Sequence, residues 1–383
     1  MAKTKNRNVY RGLVAWMLVL LALAALACAG YVYTKNYLAS REKENAEEVQ
    51  RVNAERIAEY NAAVAELTSQ NAPKAEATWP EPAASGWDVT DLSMFGIGSG
   101  NQVRVTRNQM LQGGLLLINR WHGMPADLTD DMMVSINRYS RQDDDKTNDL
   151  PTKDASSTLQ PVAVEALMKM YQDGRAEGLE LDYVVIENGY RTMEEQSTLW
   201  NEQLNKLASS YSGDALTERV RKSVAYPGTS DYQAGLSVSM YTNKSGDKDF
   251  NNTPMHETAQ GHWIYNNAWR YGFVFRFPVE GFPYAESVDK SYKTGINLNL
   301  KVYRYVGVAN AAAMHTLDLC LEEYIEYLML HPHIAVYEDG ALRYEIYRIE
   351  GGYYDTDVTI PFGAKSYSVS ADNVGGIVVA IAY

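Results

Sequence analysis

The spacing of apolar positions changes along this chain, and each change predicts a different element. Gly12 to Tyr33 is a run of 22 residues without a charge, long enough to cross a bilayer as one helix. Lys3, Lys5, Arg7 and Arg11 precede it, and no acidic residue occurs before Glu42. The positive-inside rule therefore predicts a cytoplasmic tail at 1–11, a single-pass anchor in the cell membrane at 12–33 and an extracellular remainder. A cleaved signal peptide is the competing reading, since ALACA around Cys28 offers a small-residue site and a lipoprotein-like cysteine. The length of the run favours the uncleaved anchor.

Residues 34–70 follow as a helical stalk, because Ser40 to Ser69 is rich in Glu, Ala, Arg and Asn and has no Gly or Pro. Ile57, Tyr60, Val64 and Leu67 keep a 3-4-3 spacing over too short a stretch for a coiled coil. That reads as a solvated spacer. Residues 71–86 (NAPKAEATWPEPAASG) have the prolines and alanines of a semi-extended linker, and folded structure is expected from Trp87.

Within the folded part, Pro161 to Gly178 places Val164, Leu167, Met168 and Tyr171 on one helical face, with proline in the first turn and glycine at the end. LELDYVVIENG, ending at Gly189, predicts a strand that runs into GYRT and sets Arg191 at its end. Trp263 to Tyr271 and Asn310 to Leu330 read as further helices. Asp143 to Asp154 is a polar loop without the spacing of a calcium site. Beyond residue 333 the pattern shifts to short β-type runs with turns at Asp339-Gly340, Gly351-Gly352 and Asp372-Asn373. About fifty residues are too few to stand alone, so this β extension at 333–383 is expected to pack on a core at 87–332. Its tyrosines read as cross-strand packing rather than a glycan- or protein-binding surface.

Charge narrows the partners. All 48 acidic residues and 31 of the 35 basic ones follow the apolar run, a formal charge of 31 − 48 = −17, which excludes nucleic acid as a natural partner. The two cysteines, Cys28 in the predicted anchor and Cys320 in LDLCLEEYIEYL, are not expected to pair.

Two stretches carry the candidate chemistry. Gly228 to Met240 reads GTSDYQAGLSVSM, and Thr294 to Gly307 reads TGINLNLKVYRYVG. The first resembles S-x-H-x-x-G-x-A-x-D and the second T-G-I-x-Y-E-P-W-H-Y-R-Y-V-G, the signatures of the VanY-type zinc D-alanyl-D-alanine carboxypeptidases. LLLINRWHGMPADLTDDMMVSI (Leu115 to Ile136), ENGYRTMEEQSTLW (Glu187 to Trp200) and WIYNNAWRYGFVFRFP (Trp263 to Pro278) also resemble landmarks of that family. The resemblance implies an α+β D,D-carboxypeptidase fold between roughly Val105 and Leu330. It further implies a bacterial host with a peptidoglycan wall, Gram-positive in organisation, and an ancestral zinc-dependent removal of the terminal D-Ala.

By this resemblance the three metal-ligand positions are occupied by Tyr232, Ser239 and Val302, and the general-base position by Asn299. Catalytic zinc needs three protein ligands and an open position for water. A phenol with a reference pKa near ~10, an alcohol and a hydrocarbon do not supply them. An amide at Asn299 cannot take a proton from the attacking water near neutral pH. No other metal set stands out among His122, His256, His262, His315, His331 and His333: His256 and His262 are six apart, where one helical face needs three or four. These histidines read as surface or capping residues. Ser287 to Lys290 and Lys293 to Gly295 match S-x-x-K and K-T-G, but two such motifs crowded into one loop do not make a serine acyl-enzyme site.

The family arginine expected to hold the substrate's terminal carboxylate matches Arg191, and Gln196 and Ser230 stand at family-like positions. The expectation is a cofactor-free pseudoenzyme whose cleft binds peptidoglycan stem peptides, or which scaffolds wall-associated proteins. A divergent metallopeptidase with a rebuilt site is the alternative, and a purely structural partner of a wall-synthesis complex is a third reading.

Overall fold

A computed structural model describes residues 2–70, 78–142 and 146–383. Residues 1–51 and 52–383 form separate compact units. Helix α1 spans Ala2–Gln70 without a break, so the expected anchor and stalk are segments of one helix. Among the described residues no helix is long and apolar enough to cross a membrane. Several side chains of 12–33, part of the linker (71–77) and Asp143 to Asp145 lie outside the described set.

The strands of the first half are β1 (Trp87–Asp91), β2 (Gly100–Val105), β3 (Val134–Ser135), β4 (Thr158–Leu159), β5 (Val184–Asn188) and β6 (Ser237–Thr242). Those of the second half are β7 (Phe273–Phe275), β8 (Val302–Tyr305), β9 (His333–Glu338), β10 (Ala341–Glu350), β11 (Thr356–Pro361), β12 (Ser366–Ala371) and β13 (Gly376–Ala382). A four-stranded antiparallel sheet in the order β5-β6-β8-β7 carries the candidate site. A five-stranded antiparallel sheet in the order β1-β9-β10-β13-β12 joins strands from both ends of the folded part.

This second sheet departs from the division expected at 332/333. Trp87 pairs with Glu338 and Asp91 with Ile334, while β2 pairs with β11 along its whole length. The C-terminal strands are therefore completed by the first strands of the folded part rather than resting on a finished core. Pairing between segments some 250 residues apart leaves no trace in local periodicity.

Helix Pro161–Ala176 buries Val164, Leu167, Met170 and Tyr171, and the Tyr171 hydroxyl donates to the Val184 carbonyl at 2.9 Å. That contact fixes the helix to β5. Asn310 to Leu330, read from the sequence as one helix, is two: Val308–Leu317 and Leu321–Leu330. Asp318, in a left-handed conformation with φ 51°, ends the first, and Cys320 begins the second with its backbone N–H donating to the Glu323 carboxylate at 3.1 Å.

The histidines also differ from the surface or capping role expected of all six. His122 and His333 are buried, and His333 Nε2 lies 2.8 Å from Glu345 Oε1. On the stalk, Tyr60 is half-buried against the core cluster of helix Leu321–Leu330, so this position is packed rather than solvated.

Candidate functional site

The chain reaches the site through a short connection after β5. Gly189 has no room for a side chain, because a Cβ there would meet the Thr158 carbonyl, and Tyr190 N–H donates to that carbonyl at 2.7 Å. Two residues on, Thr192 caps helix Met193–Leu207, and Glu195 closes the reciprocal bond to the Thr192 N–H at 2.9 Å. Arg191 is held between these two anchors. Gln196, buried in the first helical turn, donates to the Ala225 carbonyl at 2.7 Å and accepts a long bond from Arg191 at 3.4 Å.

The facing wall is the turn 230–235. Gln233 Oε1 accepts from the Gly228 and Ser230 N–H groups at 2.7 and 3.3 Å, which pins Ser230 to its own turn. Gly235 closes the turn at φ +67°, where an added Cβ would collide with Met133. Tyr232 is thereby set with its ring beneath Arg191, the guanidinium carbon 3.9 Å from the ring centroid.

The other three positions meet the same tyrosine. Its phenol lies beside the side chains of Ser239 and Asn299, which pull its pKa down against burial, and Asn188 Nδ2 donates to Ser239 Oγ at 2.8 Å. Ser239 on β6 pairs directly with Val302 on β8. Val302, Tyr232 and Phe277 form a buried apolar cluster, with Ile296 packed against it. The structure thus gathers Tyr232, Ser239, Asn299 and Val302 at one place and fills it with hydrocarbon and neutral polar groups. Burial pushes the Tyr232 phenol above its ordinary pKa, against the opposing pull of Arg191, so it stays protonated.

Arg191 makes no ion pair among the described residues, and burial lowers its pKa despite the attraction of Tyr232 and more distant glutamates. Met240 on β6 and Lys301, just before β8, line a cavity of about 350 Å³ walled by Tyr241, Tyr265, Phe275 and Tyr303.

One layer below lies a buried charge network that motif reading missed. Asp231 pairs with Arg304 at 2.6 Å and with Arg276 at 3.1 Å, and accepts from Ser237. Arg276 also grips Glu322 with bonds of 2.7 and 2.9 Å, while Arg304 donates to the carbonyls of Leu116 and Gly114. The sequence signal was faint: Arg276 and Arg304 each sit within an otherwise apolar run, FRFP and VYRYV, where a charge must find a partner.

The comparisons settle the family. A family model described as VanY, D-alanyl-D-alanine carboxypeptidase, matches residues 156–307. The chain is 30% identical over 178 residues to a bifunctional D-Ala-D-Ala dipeptidase and carboxypeptidase, VanXYC of Enterococcus gallinarum, covering 46% of this chain and 83% of that relative. The chain belongs to the VanY family of D-alanyl-D-alanine carboxypeptidases. Another relative, a D-alanyl-D-alanine carboxypeptidase of Enterococcus faecium, is 28% identical over 281 residues, covering 72% of this chain and 78% of the relative. Among solved structures, the vancomycin-resistance D,D-dipeptidase VanXYg with a D-Ala-D-Ala phosphinate analogue matches the fold with TM-score 0.54 at 22% identity, over 75% of this chain and 100% of that one.

The family's zinc does not fit the groups gathered here. Tyr232 is buried and protonated, Val302 has no donor atom, and the Ser239 hydroxyl is engaged by Asn188. Among the described residues no group of three or more His, Cys, Asp or Glu could hold a metal ion.

Proposed function

We propose that this VanY-family member is a catalytically silent peptide receptor that binds peptidoglycan stem peptides through Arg191, or presents them to wall-associated proteins. The observation that carries this reading is the state of Arg191: an inward guanidinium with an aromatic base and no carboxylate partner among the described residues. A planar guanidinium in that setting is suited to a ligand carboxylate, which would supply the missing charge. Supporting silence, Asn299 offers only an amide and, among the described residues, no group of three or more His, Cys, Asp or Glu could hold a metal ion. The relatives named as D-Ala-D-Ala enzymes support a D-Ala-terminated peptide as the ligand.

The site is proposed to face the outside of a bacterial cell membrane, anchored by 12–33 with the N-terminus inside. Supporting this are the 22 uncharged residues, the four basic residues before them and their place on one continuous helix. Alkaline-carbonate extraction of membranes from the host tests the anchor: release of the full chain into the supernatant would sink it.

For the silent receptor, the full chain is incubated with a stem pentapeptide ending in D-Ala-D-Ala, with added zinc and with a chelator control. The expected result is binding without chelator-sensitive D-Ala release. Chelator-sensitive release would overturn silence and favour a rebuilt metallopeptidase site; absence of binding would overturn the receptor.

A further inference from the structure

The molecule has a second place where a buried polar group lacks a partner. His122 lies in the turn Asn119–His122, and its Nδ1 is 2.9 Å from Asn119 Oδ1. A carbonyl oxygen only accepts, so Nδ1 carries the proton and Nε2 keeps a bare lone pair. That Nε2 is buried without a hydrogen-bond partner. Burial holds the ring neutral, with its pKa lowered to about 4. An unsatisfied buried acceptor is costly, and a ligand that donates to it would relieve the cost.

His122 lines a cavity of about 230 Å³ at the far end of the Glu322 network. Its charged walls balance: Arg56 and Lys293 against Glu322 and Glu326, with Lys293 paired to Glu326 at 2.5 Å and Glu322 gripped by Arg276. The four charges of the lining sum to zero, two of each sign. The remaining walls include Trp121 and Tyr292, a residue 65% exposed whose hydroxyl is tied to Glu323 at 2.9 Å. Flat aromatic faces beside hydrogen-bonding groups suit a ring that is apolar on one face and hydroxyl-bearing at its edge.

We infer that this cavity is a binding site for a neutral saccharide, one of whose hydroxyl or amide N–H groups donates to His122 Nε2 while a sugar ring stacks on Tyr292. The site is separate from Arg191 and does not rest on the peptide reading. In a protein that engages stem peptides it would hold the glycan to which such peptides are attached.

The test titrates the full chain, in a detergent without a sugar headgroup, with the trimer of β-1,4-linked N-acetylglucosamine as a peptide-free probe. Calorimetry gives affinity, and the ¹⁵N resonance of the unprotonated His122 nitrogen reports the bond. Expected are saturable binding, an upfield move of that resonance, and about tenfold weaker binding in Tyr292→Ala, an exposed position whose loss leaves the fold intact. His122→Phe, checked for folding, should weaken it similarly. Arg191→Ala should leave the trimer's affinity unchanged while weakening that of a free pentapeptide, so the two readings fail separately. No binding of the trimer, or binding that ignores Tyr292→Ala and leaves the His122 resonance in place, would overturn the inference and leave a buried water as the partner of Nε2.

Discussion

Arg191 and Tyr232 are stacked, guanidinium carbon to ring centroid 3.9 Å, so the residue that the motif resemblance aligns with a zinc ligand supports the side chain proposed to hold the ligand. Tyr232 thereby orients Arg191 from below and leaves its edge for a carboxylate. Arg191→Ala should weaken pentapeptide binding about ten- to a hundredfold, the range for loss of charged hydrogen bonds. Arg191→Lys should not restore it, because an ammonium has neither the fork nor the stacking plane. Calorimetric titration of both variants checks this.

Tyr232→Phe separates the ring from its hydroxyl. The ring remains beneath Arg191, but Ser239 and Asn299 lose the phenol oxygen beside them. Stability should fall by about 1–3 kcal/mol, as expected when buried polar groups are left unsatisfied. Peptide affinity should change less than in Arg191→Ala. Urea denaturation beside a binding titration gives both numbers.

Asp231 carries the acid sensitivity of the site. Burial pushes its carboxyl up, but the Arg276 and Arg304 guanidinium groups more than offset this and hold it below the usual carboxylate range. A carboxylate with a lowered folded-state pKa contributes stability that is present above the unfolded value near ~3.9 and lost as pH falls through the folded value. The wild-type urea midpoint should therefore drop on acidification below about pH 4. Asp231→Asn should be less stable at pH 7 by about 3–5 kcal/mol, since it leaves buried arginine charge uncompensated, and its midpoint should fall less steeply with acid.

Gly235→Ala should destabilise mainly through its backbone, because the atoms its methyl would meet are the movable Sδ–Cε end of Met133. Its φ of +67° disfavours any Cβ, and the new methyl would run into Met133. Strain of about 1–3 kcal/mol is expected before the clash is counted, read as a lowered melting temperature. A matched Gly178→Ala, also at positive φ but with open space around it, isolates the backbone share.

Local chemistry was legible where it depended on neighbours in sequence. The helix from Pro161 and its glycine stop follow from periodicity and capping, and the structure has the helix at Pro161–Ala176; the strand expected over 179–189 is present only at Val184–Asn188, with a 3-10 turn at Leu181–Tyr183 before it. The break at Asp318 was not legible, because apolar residues recur on both sides of it and neither Gly nor Pro marks the three residues that separate the helices, the first of them a left-handed aspartate. At the site, the motif gave the identities of Tyr232, Ser239, Asn299 and Val302, but not that Phe277 and Ile296 pack around them. Nor could it pair Asp231 with two arginines 45 and 73 residues away, since a lone arginine in an apolar run does not name its partner.

The apolar cluster of Tyr232, Phe277 and Val302 has a consequence for how this site can change. Any one substitution toward a metal-holding residue, such as Val302→His, would put a polar group among hydrocarbon with nothing to coordinate, at a cost of roughly 1–3 kcal/mol. Benefit would arise only once several such residues stood together around an ion. A route to metal binding therefore climbs through less stable intermediates before it can descend, and the packing acts as a ratchet that makes the present chemistry easy to keep and hard to leave.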